Sequence, residues 1–519
     1  MRVYEGTVIT CDDKGSVARY LVEDAGKIAH VGNELPERYL KAERVDLASG
    51  ALCPAFADTH IHFLSNAIFT GGLDVRSARD VDSVKDQVAR YAAASRDRIV
   101  LGFGASPHAV AERRLVTKAD LDEAAPAKPV YLVKYDGHAA VANTAMLDLL
   151  PDSVRSQRGY DGETGLLTQE AFFRATDRVT GTVSLPATVG MMLRAADAMA
   201  ARGIGIVHSV SGVGFPGDID VSLESLFARG LRNEIAYRVF FQTLEAKKAV
   251  ARRLPRIGGC FATALDGCFG SLDAALYEPY EGTDSRGILY YDDERVFRFA
   301  REANRAGLQI EMHAIGDRAF DQAVTAIERA LEDFPRADHR HTIIHACLPT
   351  EKGLETSARL GIAFAVQPAF LQWDQEPLSY LETIMGPRVR SLTPLRTMSD
   401  LGIVMAGGSD GPCTVPDPIA GIHASCNHGD PEQALTVQEA LNLFTRNAAW
   451  LCFDEKERGS LEPGKRADFA LLDRNLLAVP RESIRETKVL GLTLGGKPYS
   501  PGEGSLELIA RGLFSRRKI

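Results

Sequence analysis

His60 and His62 stand two residues apart at the end of the apolar run ALCPAFADTHIHF. In an extended strand that spacing turns both imidazoles to one face, so two nitrogen ligands converge. Further along, His313 closes QIEMH, His345 closes TIIH and Asp410 closes VMAGGSD, each at the end of a β-like run. In a barrel of parallel strands the C-terminal strand ends face the catalytic mouth, and these side chains would meet there. Imidazole and carboxylate donors in a tetrahedral array suit Zn2+ and leave a position open for water. Such a water, its pKa lowered to about 7, is a nucleophile at neutral pH. His60, His62, His313 and Asp410 are therefore expected to hold one zinc ion, although the same donors accept Mn, Fe or Co. Asp410 would also take the water's proton and pass it to the leaving group. His345 would polarise the substrate carbonyl or stabilise its oxyanion, and is the first candidate ligand for a second ion. Any one of these histidines reads equally well as a packed core residue; their joint placement carries the chemistry.

Other signals are weaker. Gln367 and Trp373, in AVQPAFLQWD, follow a β-like run at the place where a substrate pocket would lie, and both are candidates to line it. The Gly-rich pieces GGLDV, GIGIVHSVSGVGFPGD and AGGSDGP lack phosphate-loop or dinucleotide spacing. No G-x-S-x-G elbow marks a serine nucleophile, and Ser209 and Ser409 read as loop residues. Histidines 30, 339, 341, 423 and 428 read as surface or packing residues. Eight scattered cysteines without a C-x-x-C pair argue against a disulfide framework or zinc knuckle. A net charge of -9 argues against binding along nucleic acid, and the basic end, Arg511, Arg516, Arg517 and Lys518, reads as a solvated tail. No run approaches the roughly 20 apolar residues of a membrane span, and MRVYEGTVITCDDKG is unlike a secretory signal, so a cytoplasmic location is expected.

The elements that must position these residues alternate short apolar runs with helical segments, the habit of a parallel sheet with crossover helices. RIVLGFGA, PVYLVKY, GIGIVHSV, AYRVFFQT, LQIEMHA, HTIIHA, IAFAVQP and IVMAGGSD are such runs, and the candidates exceed the eight strands of a barrel, so one or two must be additions. Phe320, Val324, Ile327, Leu331 and Phe334 follow a helical period after Asp317. Thr436 and Glu439 form a capping box before a stripe of Leu441, Phe444, Ala448 and Leu451. Residues 209–290, rich in Gly, resist assignment. The first 50 residues read as a small antiparallel sheet, and a similar pattern returns in GSLEPGKRADFALLDR and KVLGLTLGGKPYS. The expected architecture is α/β: a distorted TIM (β/α)8 barrel over 52–452, with a β-sandwich built from both chain ends, 1–51 and 453–519.

PAFADTHIH, DGHAAVAN, GYDGETGLL, LDGCFGSLDAALYEPY, HAIGDRAF, GGSDGP and GSLEPGKRADFALLD resemble, in order, blocks of the amidohydrolase superfamily, in its amidohydrolase-3 group that includes N-substituted formamide deformylases. The resemblance covers nearly the whole chain. It implies a metal-bearing distorted barrel, a sandwich from both ends and hydrolysis of an amide, formamide or related C–N bond. His60, His62, His313 and Asp410 match metal ligands, His345 matches the sixth-strand histidine, and His138 matches a position that faces substrate. Two departures stand out: GGCFATALDG lacks the lysine that bridges two metals in many members, with Cys260 in reach to supply a thiolate instead, and Ile344 replaces a carboxylate beside His345.

The expectation is a metal-dependent hydrolase acting on a small amide-like molecule, with one ion preferred over two. The alternatives are a decarboxylase or isomerase on the same metal site and a non-catalytic scaffold. Neither nucleic acid nor membrane is an expected partner; the sequence is compatible with a homo-oligomer and does not set the oligomeric state.

Overall fold

The computed structural model describes residues 1–515, 517 and 519. Eight parallel strands form the barrel: Phe56–Ile61, Ile204–Ser211, Ala236–Phe241, Arg256–Ala264, Gln309–Ala314, Thr342–His345, Ala363–Val366 and Met405–Gly407. They lie side by side in chain order, and a bridge between Ile61 and Gly411, just past the eighth, draws the two edges together. Most of these runs, Phe56–Ile61 among them, are buried at every position because helices cover them outside and side chains fill them inside. Two of the strands fall within the Gly-rich stretch: Ala236–Phe241, read as AYRVFFQT, and Arg256–Ala264, which the sequence pattern left unassigned because a short Gly-rich run carries no periodicity to read.

RIVLGFGA and PVYLVKY are the additions. They lie in a separate five-stranded sheet, ordered along the chain as Leu73–Asp74, Val100–Ala105, Val130–Lys134, Ala139–Ala142 and Leu166–Thr168, inserted between the first and second barrel strands.

Both chain ends pair into one seven-stranded sheet, whose order is Lys497–Pro498, Val489–Leu494, Phe469–Leu472, Glu43–Pro54, Arg2–Ile9, Val17–Asp24 and Lys27–Gly32. Ala470 opposite Cys53 joins the ends. The N-terminal part is not wholly antiparallel, because Arg2–Ile9 runs parallel to Glu43–Pro54. That strand leads into the first barrel strand with only Ala55 between them, so this sheet anchors the segment carrying His60 and His62.

The helix after Gly316 spans Asp317–Asp333, leaving Phe334 as an exposed cap. The Thr436/Glu439 capping box is present, but its stripe divides between Val437–Leu443 and Arg446–Leu451, broken at Phe444 and Thr445. The basic end is not simply solvated: Arg511 donates to the Gly230 carbonyl (2.8 Å) and Arg517 to the Leu231 carbonyl (3.1 Å), while Arg516 and Lys518 lie outside the described residues. Carbonyls at the C-terminal end of helix Ile219–Gly230 lack intrahelical donors, and these guanidinium groups supply them. Among the described residues no helix is long and apolar enough to cross a membrane.

Candidate metal centre

The strand ends meet as side chains because their backbones are laced together. Asp410 N–H donates to the His60 carbonyl (2.8 Å) and His62 N–H to the Gly411 carbonyl (2.9 Å). A Cβ on Gly408 would lie 2.6 Å from the His60 nitrogen, so this glycine of AGGSD allows the close approach. Ser409 lies in the turn past the eighth strand, as expected of a loop residue, and is anchored there: its N–H (2.9 Å) and hydroxyl (2.5 Å) both donate to buried Asp58 on the first strand. Ser209, by contrast with its reading as a loop residue, lies inside the second barrel strand and accepts from Phe63 N–H, at the start of the helix His62 leads into.

His60 Nε2 is 3.1 Å and His62 Nε2 3.4 Å from Asp410 Oδ1. On the neighbouring fifth and sixth strands, the rings of His313 and His345 have centroids 4.6 Å apart. Cys260 lies between the two groups. Gly258 takes φ +101°, where a Cβ would meet the Glu311 carbonyl oxygen at 1.9 Å, and the register against the fifth strand shifts between Gly259 and Ala264. This bulge turns Cys260 inward, with its Sγ 3.7 Å from His345 Nε2.

Donor atoms of His60, His62, Cys260 and Asp410 all lie within 4.8 Å of one another, and so do those of Cys260, His313 and His345. His313 thus groups with His345 and Cys260 rather than with the histidine pair, because it projects from strands across the barrel from the first. His60 Nδ1 and Nε2, His313 Nδ1 and Asp410 Oδ1 are buried without hydrogen-bond partners. Buried polar atoms are ordinarily paired, and a cation would satisfy this set, so the donors fit a divalent metal.

Burial keeps the imidazoles neutral and ready to ligate: it lowers His60, pushes His345 well below its ordinary value and takes His313 down to about 3. Burial opposes ionisation of Asp410, yet the nearby His60 and His62 imidazoles hold its carboxyl well below the usual carboxylate range. The Cys260 thiol is pushed well up by burial, so it would ligate as thiolate only with a cation present to offset the charge.

Outer partners set the ring orientations. Gln367 directs its Nε2 to the Ala365 carbonyl (3.0 Å), which turns its Oε1 to accept from His345 Nδ1 at 2.6 Å. That leaves His345 Nε2 facing Cys260. Asp266 lies 3.4 Å from His313 Nδ1 and accepts from the backbone N–H groups of Ile315 (3.0 Å), Gly316 (2.8 Å) and Ala275 (2.9 Å). Sequence reasoning missed Asp266; it lies 47 residues before His313, in a loop with no local signal for the pairing. His345 and Asp410 both adopt left-handed backbone, with φ of 72° and 56°, which costs a residue with a side chain roughly 1–2 kcal/mol.

The donors open on a cavity of about 110 Å3. His138 and Trp373 line it, whereas Gln367 is behind His345 and does not. Its wall is mainly aromatic and aliphatic, including Phe103, Phe172, Phe173, Phe261 and Phe370. Phe261 contacts His62 and His138, with centroids 4.8 and 5.3 Å away. The inserted sheet supplies Phe103 and Val133, and the turn after its third strand supplies Asp136 and His138.

Residues 43–499 match the model of the amidohydrolase family. The chain belongs to that family. Among other amidohydrolase-related sequences, it is 27% identical to YtcJ of Bacillus subtilis strain 168, a protein named as an amidohydrolase, over 95% of this chain and 98% of that one. It is 25% identical to the N-substituted formamide deformylase of Arthrobacter pascens, over 96% of this chain and 97% of that one. The fold is that of a metal-dependent hydrolase from Pyrococcus horikoshii OT3, which superposes with a TM-score of 0.74 at 24% identity over 92% of this amidohydrolase and 99% of its counterpart.

Proposed function

We propose that this amidohydrolase cleaves a C–N bond in a small amide, formamide or related molecule, using water and a divalent metal. One observation carries the reading: two buried donor sets, sharing Cys260 and rich in unpaired nitrogen and oxygen atoms, open onto an apolar cavity. His60, His62, Cys260 and Asp410 would hold one cation, and Cys260, His313 and His345 offer a second position. Imidazole, thiolate and carboxylate donors suit zinc. The similarity to a deformylase along the whole chain supports the C–N bond as the target.

When bound, the cation supplies Lewis acidity to the carbonyl and to water. Asp410, ionised and at the cavity wall, accepts a proton from the attacking water and returns it to the departing nitrogen, so the C–N bond breaks with a neutral amine leaving. His345, whose Nδ1–H is held by Gln367, presents the lone pair of Nε2 to the second cation. The apolar wall limits access of bulk water and strengthens each of these interactions.

The test pairs elemental analysis of protein purified without chelator with a screen of acyl amides against carboxylated aromatics. Metal-bearing protein that releases amine from an amide fits the proposal. Metal-bearing protein that instead releases CO2 assigns the site to decarboxylation, and metal-free, inert protein leaves a scaffold.

A further inference from the structure

At the end of the cavity away from the donors, Glu376 lines the wall at 5% exposure. Its Oε2 accepts from the Tyr135 hydroxyl at 2.7 Å, with Gly270 packed so closely that a Cβ there would lie 2.0 Å from the same oxygen. Asp136 also lines the cavity, but it is matched by Lys134 Nζ at 2.7 Å, which in turn binds Ser271 (3.0 Å). Lys134 is thus engaged by Asp136, and among the described residues no Lys, Arg or His forms an ion pair with Glu376. Burial raises Glu376 to about 7, as expected of a carboxyl lacking a countercharge.

A file of rings joins this carboxyl to the metal donors. From His345 to Phe370 the centroids are 5.8 Å apart, from Phe370 to Trp373 4.7 Å, and from Trp373 to Tyr135 5.2 Å. The first two pairs are stacked, and Trp373 Nε1 is buried without a partner. Such a wall favours a flat apolar body and is compatible with positive charge at its far end. The loop that carries Trp373 and Glu376 is fixed to the inserted sheet: Gln375 Nε2 donates to the Arg76 carbonyl (2.8 Å), and Ser106 donates to the Gln375 carbonyl (2.7 Å).

We infer that Glu376 is a specificity-determining residue that selects elongated substrates with an amine on the side away from the scissile C–N bond, a flat ring between them lying along Phe370 and Trp373. The inference rests on the proposed C–N hydrolysis for its placement of the amide, but the amine subsite can be tested without turnover.

Calorimetry on the metal-loaded enzyme would compare 4-methylbenzylamine with 4-methylbenzyl alcohol, a neutral probe of the same shape. The amine should bind the tighter, and Glu376→Gln should weaken it by about tenfold or more while leaving the alcohol unchanged, the effect of losing one charged hydrogen bond. Tyr135→Phe, which keeps the carboxyl, should retain the preference, and its melting temperature checks the fold. In turnover, 4'-(aminomethyl)acetanilide should exceed 4'-(hydroxymethyl)acetanilide in kcat/KM, with the ratio falling to about one in Glu376→Gln. Equal binding of amine and alcohol, no binding of either, or a preference that survives Glu376→Gln overturns the amine subsite. Glu376-dependent amine binding with both anilides left intact would count against C–N hydrolysis and leave the subsite standing.

Discussion

The two ends of the cavity are built by different means. At the metal end the histidines and Cys260 come from barrel strands or the residue next to one and Asp410 from the turn just past the eighth, and backbone hydrogen bonds such as Asp410 to His60 fix the spacing. At the far end the wall comes from an inserted sheet, a helix and the loop after the seventh strand, held together by rings and by Gln375. The contrast separates chemistry from selection: changes at the first end should alter metal content and kcat, and changes at the second should alter KM and preference.

The largest effect is expected from Asp410→Asn, which keeps the shape and removes the proton acceptor. Turnover on any amide substrate should fall by about 100- to 10,000-fold, with metal content reduced less than in His60→Ala, as elemental analysis would read. An Asp410→Asn enzyme of normal kcat would break the assignment of proton transfer to the metal end. Next, Cys260→Ala should lower bound metal and affinity for both positions, since its sulfur belongs to both sets. Unchanged stoichiometry in titrations with Co2+, followed by its visible spectrum, would remove the shared thiolate. Gln367→Leu should weaken metal affinity by about 10- to 100-fold through His345 without changing preference among substrates. At the other end Trp373→Leu should raise KM with kcat little altered. Should it instead lower kcat alone, the division between the two ends does not hold.

The smallest effect lies away from the cavity. Thr436→Ala removes a cap and should cost about 1 kcal/mol of stability, measured by denaturant melts, with metal content intact. Glu439 of the same box is held down to about 2 by Arg396, with Thr436 assisting. Because its folded pKa is depressed, its stabilisation is full above the ordinary carboxylate range and is lost as pH falls toward 2. Glu439→Gln should flatten that part of the pH dependence.

Much of the metal end was legible in the sequence because its signals are local. His60-x-His62 and the strand-end positions of His313, His345 and Asp410 follow from short apolar runs and the geometry of parallel strands. The grouping of His313 with Cys260 was not legible, since it depends on a bulge at Gly258 that no periodicity encodes. Gln367 was singled out as a pocket residue for its position after a strand; the structure places it behind His345, a distinction of side-chain direction. The far end was nearly illegible. Glu376 and Tyr135 are 241 residues apart, and RIVLGFGA and PVYLVKY looked like barrel strands because buried parallel runs are alike wherever they occur.

The link between Asp58 and Ser409 spans 351 residues. During synthesis the first barrel strand must therefore wait for the eighth, on the order of tens of seconds at ordinary elongation rates. Throughout that interval His60 and His62 are on the nascent chain with their carboxylate partner still unmade, so the proposed metal site is completed only at the end of folding, and chains interrupted before residue 405 would emerge as open sheets prone to pairing with one another.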